Sequence, residues 1–251
     1  MSEAKLNLSD ILFTSSKHSH YQEIHPVVAS KLAIPKEYQP RKLLEKERES
    51  FLNKHVNFNE RIVCDIGANT GYFSIAALES GAAKVDAYEG NSQHADFIRK
   101  CSSLLGLTEK LCVEDRYVEF DPYDIPHYDV TICFNVLHHI GDDFRNEVQA
   151  VEATQAMGRA LRNIVINSKT VIFQMGYNWK GNPSLPLTQS GTKQDIIDIV
   201  HESLAGIEVD IITGCFTPES GSYEIAHGAN LMRRNELGEF RNRPLFVITH
   251  K

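Results

Sequence analysis

Residues 61–73 read R-I-V-C-D-I-G-A-N-T-G-Y-F, an apolar run broken by Asp65 and followed by two glycines four positions apart. Positions 61–66 have the apolar, β-branched content of a buried strand, and positions 71–80 continue as a helix. Glycines at a strand-to-helix turn lie where backbone must approach a ligand closely. A dinucleotide fingerprint requires G-x-G-x-x-G, but Asn69 and Tyr72 stand where its second and third glycines belong. The pattern that remains is D-x-G-x-x-x-G.

Outward from this turn, V-D-A-Y-E-G-N at 85–91 ends a second strand, 84–88, in Glu89, eighteen positions after Gly71. In a Rossmann-like sheet a carboxylate at that strand end accepts both hydroxyls of a ribose. Asp65, ending the first strand, suits a cationic ligand. S-adenosylmethionine carries an ammonium and a sulfonium but no phosphate, so it calls for carboxylate and carbonyl acceptors and has no use for a phosphate cradle.

Strands at 61–66, 84–88, 111–113, 128–135, 169–175, 207–213 and 244–249 alternate with helices at 71–80, 92–105, 143–162 and 192–204. This alternation predicts an α/β fold: a doubly wound, mostly parallel seven-stranded sheet with helices on both faces. Residues 1–55 read as an N-terminal arm and a leading helix, charged and amphipathic over 41–55, and 56–251 as the Rossmann-like domain. Its substrate-facing insertions fall near 177–191 and 217–243, where Gly, Asn, Ser and Pro follow late strands.

The 251 residues hold 26 Lys+Arg against 33 Asp+Glu, a net charge of −7, with 42% hydrophobic and 24% charged residues. That composition excludes disordered, collagen-like and coiled-coil classes, and the acidic balance disfavours nucleic acid except through a local basic patch. Residues 1–13 lack the apolar core of a signal peptide, and no stretch matches a membrane span, so a cytoplasmic location is expected. Cys64, Cys101, Cys112, Cys133 and Cys215 are scattered without a C-x-x-C pair, which predicts buried or partly buried free thiols.

Three segments in order, V-C-D-I-G-A-N-T-G-Y-F-S, V-D-A-Y-E-G-N and Y-D-V-T-I-C-F-N-V-L-H-H-I, resemble the class I S-adenosylmethionine-dependent methyltransferases. The resemblance implies that Asp65, Gly67, Ala68, Asn69 and Gly71 surround the methionine part of that cofactor. By the same resemblance Tyr72 and Phe73 line its pocket, and Glu89 holds the ribose with Gly90 and Asn91 beside the adenosine. Glu114, Asp115 and Arg116 compete for the adenine amine, with Asp115 favoured. Asn135 and Val136 present backbone carbonyls to the cofactor. The stretch S-S-K-H-S-H-Y-Q at 15–22 resembles a segment that folds over it, bringing in Lys17 or Tyr21.

Methyl transfer from a sulfonium needs alignment and removal of a proton from the acceptor. Histidine titrates near working pH, and the resemblance implies a general base at His139 or, second, His138. These residues with Asp142 and Asp143 also offer metal ligands, but the acids read as a helix cap, and no metal is expected. Gln174, Tyr177, Asn178 and Trp179, in F-Q-M-G-Y-N-W-K-G, suit a hydroxyl-rich acceptor such as a sugar stacked on the aromatic face. The closing R-P-L-F-V-I-T at 243–249 resembles methyltransferase domains tied to tRNA wobble-uridine and bacterial surface-polysaccharide modification. The reading is O-methylation of a small or glycan acceptor. Its rivals are a tRNA-modifying enzyme using Lys180, Arg233, Arg234, Arg241 and Arg243, and a silent cofactor-binding partner subunit.

Overall fold

The computed structural model describes residues 6–7, 21–34, 36, 38–41, 43–121, 123–142 and 152–251. In chain order its main elements are α1 (Pro26–Lys31), α2 (Glu45–His55), β1 (Ile62–Ile66), α3 (Tyr72–Glu79), β2 (Lys84–Tyr88), α4 (Ser92–Leu104), β3 (Leu111–Glu114) and β4 (Tyr128–Phe134). There follow α5 (Ala153–Ile166), β5 (Ser168–Gln174), α6 (Lys193–Ser203), β6 (Val209–Thr217), β7 (Ser222–Ile225), α7 (Gly238–Arg241) and β8 (Leu245–His250). They pack as two compact units. One holds the described residues up to Glu45 with Phe58–Tyr117, the other Lys46–Asn57 with Val118–Lys251.

In the first unit β1, β2 and β3 are parallel neighbours, with Val63 opposite Val85 and Val85 opposite Leu111. Parallel strands need a covered crossover, and α3 and α4 supply it. Helix α3 is mostly apolar, and its residues from Tyr72 to Ala77 are buried. Helix α4 is amphipathic and capped by Asn91, whose side chain accepts from the N–H groups of Gln93 and His94.

In the second unit β4 pairs in parallel with β5. Strand β8 then lies between β5 and β6 and runs antiparallel to both, with Phe246 opposite Phe173 on one side and Thr213 on the other. A hairpin joins β6 to β7 through residues 218–221, where Gly221 takes φ 63°. Among the described residues these strands number eight where seven were expected, and the pairs made by β6, β7 and β8 are antiparallel within an otherwise parallel arrangement. The connection ahead of β8, residues 226–244, holds only a 3-10 turn and the four-residue α7 in place of the crossover helix that usually joins parallel strands. Residues Leu245 to Ile248 are all buried, as a central strand requires.

Three boundaries differ from expectation. Helix α2 starts at Glu45 because Leu44 takes a left-handed φ of 62°. The helix expected over 143–162 is α5, Ala153–Ile166, and its expected beginning, with Asp143, lies outside the described residues. Part of the expected 217–243 insertion is strand β7. Cys112 is exposed, whereas the other four thiols are buried, and all five are free. No helix among the described residues is long and apolar enough to cross a membrane.

Candidate functional site

The turn after β1 is built from left-handed residues. Gly67, Asn69 and Gly71 have φ of 73°, 53° and 76°. Asparagine tolerates that region better than other side chains, so Asn69 can stand where a fingerprint has glycine. At Gly71 a Cβ would also lie 3.1 Å from Ile98 Cγ1.

Every backbone N–H from Gly67 to Tyr72 already has a protein acceptor. Gly67 and Ala68 donate to the Tyr88 carbonyl at 2.8 and 3.1 Å, and Gly71 donates to the Ala68 carbonyl at 2.8 Å. Asn69 N–H donates to Glu89 Oε2 at 2.7 Å. Thr70 and Tyr72 N–H both donate to Gln22 Oε1, at 3.2 and 3.3 Å, and the Thr70 hydroxyl donates to the same oxygen at 2.8 Å. A pyrophosphate is held by such N–H groups at a helix N-terminus, and here Gln22, Glu89 and backbone carbonyls hold them.

What the turn offers instead is carboxylate. Glu89 is 9% exposed and accepts Asn69 N–H on Oε2 and, at 2.8 Å, Asn91 N–H on Oε1. Each oxygen has a further lone pair for a hydroxyl donor. Asp65 is buried and accepts the Ser74 hydroxyl at 2.6 Å. Burial pushes Glu89 up to about 7, against the lowering effect of its two backbone donors and with help from the Asp65 and Asp115 charges. Burial likewise pushes Asp65 up to about 6 despite Ser74. The turn thus carries two buried acids, both with pKa values raised chiefly by burial.

The other first-unit candidates gather around this turn. Tyr72 and Phe73 are buried, with ring centroids 5.1 Å apart, and the Tyr72 ring meets His25 edge-on at 4.9 Å. Gly90 lies under the Tyr117 ring, where a Cβ would be 2.4 Å from ring carbons. Asp115 is exposed just past β3, and Tyr21 is partly exposed beside Gln22. Lys17 lies outside the described residues. Sequence reasoning missed Gln22 and Tyr117; no local pattern marks a side chain that acts 48 residues downstream.

In the second unit Asn135 ends β4 with a left-handed φ of 60° and leads through Val136 into a 3-10 turn, Leu137–His139. His138 is buried, and its Nδ1 accepts the Gly176 N–H at 3.2 Å. Burial, with the Arg243 and His139 charges, holds it well below the usual imidazole range, so it stays neutral. His139 keeps 21% of its side chain exposed, with Nδ1 3.7 Å from Asp142 Oδ2.

The expected acceptor group turns largely inward. Gln174 is fully buried; its Oε1 accepts from Asn135 Nδ2 and its Nε2 donates to the Tyr223 hydroxyl and the Arg243 carbonyl. The Tyr177 hydroxyl donates to the Asn242 carbonyl at 2.7 Å, and Trp179 Nε1 donates to the Ile140 carbonyl at 2.6 Å. Asn178 is half-buried before the Trp179 turn, where Lys180 sits 4.3 Å over the indole. Among the described residues no group of His, Cys, Asp and Glu is arranged to hold a metal ion.

No protein-family profile matches the chain. In structure it is similar to the bifunctional kinase-methyltransferase WbdD, with a TM-score of 0.57 and 16% identity over 96% of this chain and 45% of that one. It therefore spans a little under half the length of that protein. It is also similar to a candidate S-adenosylmethionine-dependent methyltransferase from Listeria monocytogenes, with a TM-score of 0.54 and 14% identity over 84% of this chain and 100% of that one. Both likenesses are of fold: the chain shares its α/β fold with these two proteins.

Proposed function

We propose that the chain is an S-adenosylmethionine-dependent methyltransferase acting on a hydroxyl of a small or sugar-like acceptor. The observation that carries the cofactor assignment is the pairing of two facts at one turn. Its N–H donors are all taken, and the buried acids Asp65 and Glu89 stand beside them. That donor set rejects a phosphate ligand and fits a cationic, diol-bearing one.

Glu89 would hold the ribose hydroxyls and Asp65 would face the methionine end, with Gly67, Ala68, Asn69 and Gly71 shaping the wall. Gly90, Asn91 and Asp115 would flank the adenosine, with Tyr72, Phe73 and Tyr21 completing the surroundings. Bound there, the cofactor supplies an electrophilic methyl on a good leaving group. In the second unit His139 is the residue proposed to take the acceptor proton, and the Asp142 carboxylate, 3.7 Å from its Nδ1, would pair with the imidazolium so formed. His138, neutral and hydrogen-bonded to Gly176 N–H, serves to hold the turn.

The arginines and lysine that a tRNA acceptor would use have partners within the chain. Arg233 sits 4.8 Å over Tyr177, Arg234 pairs with Glu219 at 2.6 Å, and Arg243 pairs with Glu239 at 2.8 Å. This supports a small or glycan acceptor over tRNA.

Calorimetry with S-adenosylhomocysteine, and separately with NAD and ADP, tests the cofactor assignment: binding of the first alone is expected. Equal or stronger binding of either phosphate-bearing ligand would overturn it. Labelled S-adenosylmethionine offered with nucleotide-sugars, extracted glycan or bulk tRNA then identifies the acceptor. Label entering tRNA would replace the small-acceptor reading, and cofactor binding without transfer would favour a silent partner subunit.

A further inference from the structure

The turn that carries His139 is anchored by a residue more than a hundred positions away in sequence. Arg243 is 7% exposed, and its Nη1 donates to Asn135 Oδ1 at 2.7 Å. Its Nη2 and Nε donate to Glu239 Oε1 at 2.8 and 3.2 Å. The same Glu239 oxygen accepts the Tyr177 N–H at 2.9 Å. Gly176 passes directly beside this pair: a Cβ there would lie 2.9 Å from Arg243 Nη2 and 3.1 Å from Glu239 Oε1.

Asn135 is thereby held at three atoms. Its Oδ1 accepts from Arg243, its Nδ2 donates to Gln174 Oε1 at 3.2 Å, and its backbone N–H donates to the Gln174 carbonyl at 2.7 Å. These bonds also fix the orientation of its amide. A left-handed φ at a residue other than glycine persists only where its surroundings impose it. Immediately beyond, His138 is bound to the Gly176 N–H, so one polar cluster restrains both ends of the turn.

We propose that Arg243, clamped by Glu239, is a positioning residue that fixes the turn from Asn135 to His139 and so aims the His139 ring. The catalytic meaning of this rests on the methyltransferase reading; the restraint itself does not. The guanidinium suits the task because its planar fork reaches two acceptors at set angles, which the single ammonium of lysine cannot reproduce.

The test uses the full chain with histidine rings and asparagine side-chain amides observed by NMR. Arg243→Gln and Arg243→Lys are expected to shift or broaden the Asn135 Nδ2 signals and move both His138 and His139 ring signals. In Arg243→Gln, His138 also titrates at higher pH, because a neighbouring cation is lost. Glu239→Gln, which retains Oε1, is expected to leave the Asn135 signals closer to those of the parent. Asn135→Gly probes the same restraint from the other end without steric cost at positive φ, and His139 is expected to shift as it does in Arg243→Gln. Unchanged histidine and Asn135 signals in folded Arg243→Gln, or unchanged His138 and His139 ring signals in Asn135→Gly should Arg243→Gln not fold, would overturn the proposal. S-adenosylhomocysteine calorimetry on the parent separates the two ideas: no binding would remove the methyltransferase reading and leave the restraint standing.

Discussion

Two acidic side chains, Asp65 and Glu89, stand at the glycine turn. Glu89 points its two oxygens to backbone donors from two segments and keeps lone pairs for a ligand. Glu89→Ala should lower S-adenosylhomocysteine affinity about 10- to 100-fold, the loss of one or two hydrogen bonds to a charged group. Unchanged affinity in calorimetry would remove the ribose assignment. Because burial raises Glu89 to about 7 and ribose hydroxyls donate to its charged form, affinity should rise as pH rises through about 7. The two histidines should separate as well. His139→Ala should cut turnover by about 100-fold or more with cofactor affinity retained. His138→Ala should act mainly on stability, since it leaves the Gly176 N–H without its acceptor.

At the scale of elements, the contacts between distant segments are what make the turn specific. Gln22 enters from ahead of α1 and satisfies the first donors of α3. Gln22→Ala would strand those buried N–H groups at about 1–3 kcal/mol each, so its thermal midpoint should fall by several degrees. A midpoint equal to that of the parent would show that the donors find other acceptors. Gly90→Ala should displace the Tyr117 ring, detected as a change in tyrosine fluorescence or NMR shift. The β1 turn, the end of β2 and the β4 turn were legible in sequence because an apolar strand followed by glycine, asparagine or an acid is a local signal. The β6–β7 hairpin was not read, although Pro218 and Gly221 bracket its turn. The loop composition of 217–243 hid the four-residue strand Ser222–Ile225.

At the scale of the molecule, two buried acids make stability depend on pH. In the folded chain Asp65 and Glu89 hold protons up to about 6 and 7, where the unfolded chain has already released them. Their ionisation therefore destabilises the fold at high pH, and their contribution to stability improves as pH falls from about 7 towards about 4. The neutral double variant Asp65→Asn, Glu89→Gln lacks this dependence. The difference in unfolding free energy between parent and variant should narrow as pH drops from about 8 to about 5. A pH-independent difference would contradict the burial of both charges.

By itself the sequence determined the α/β class, the order of strands and helices up to β6, the glycine turn and its acids. Each of these is written in periodicity or in short spacings that act within a few residues. Only the tertiary structure decided what those residues face. It set β8 antiparallel between β5 and β6, filled the turn's donors with Gln22, turned Gln174, Tyr177 and Trp179 inward, and buried His138 while leaving His139 partly open. The reason is physical: a hydrogen-bond partner 48 or 108 residues away leaves no local trace, and burial is a property of the packed chain rather than of a residue type.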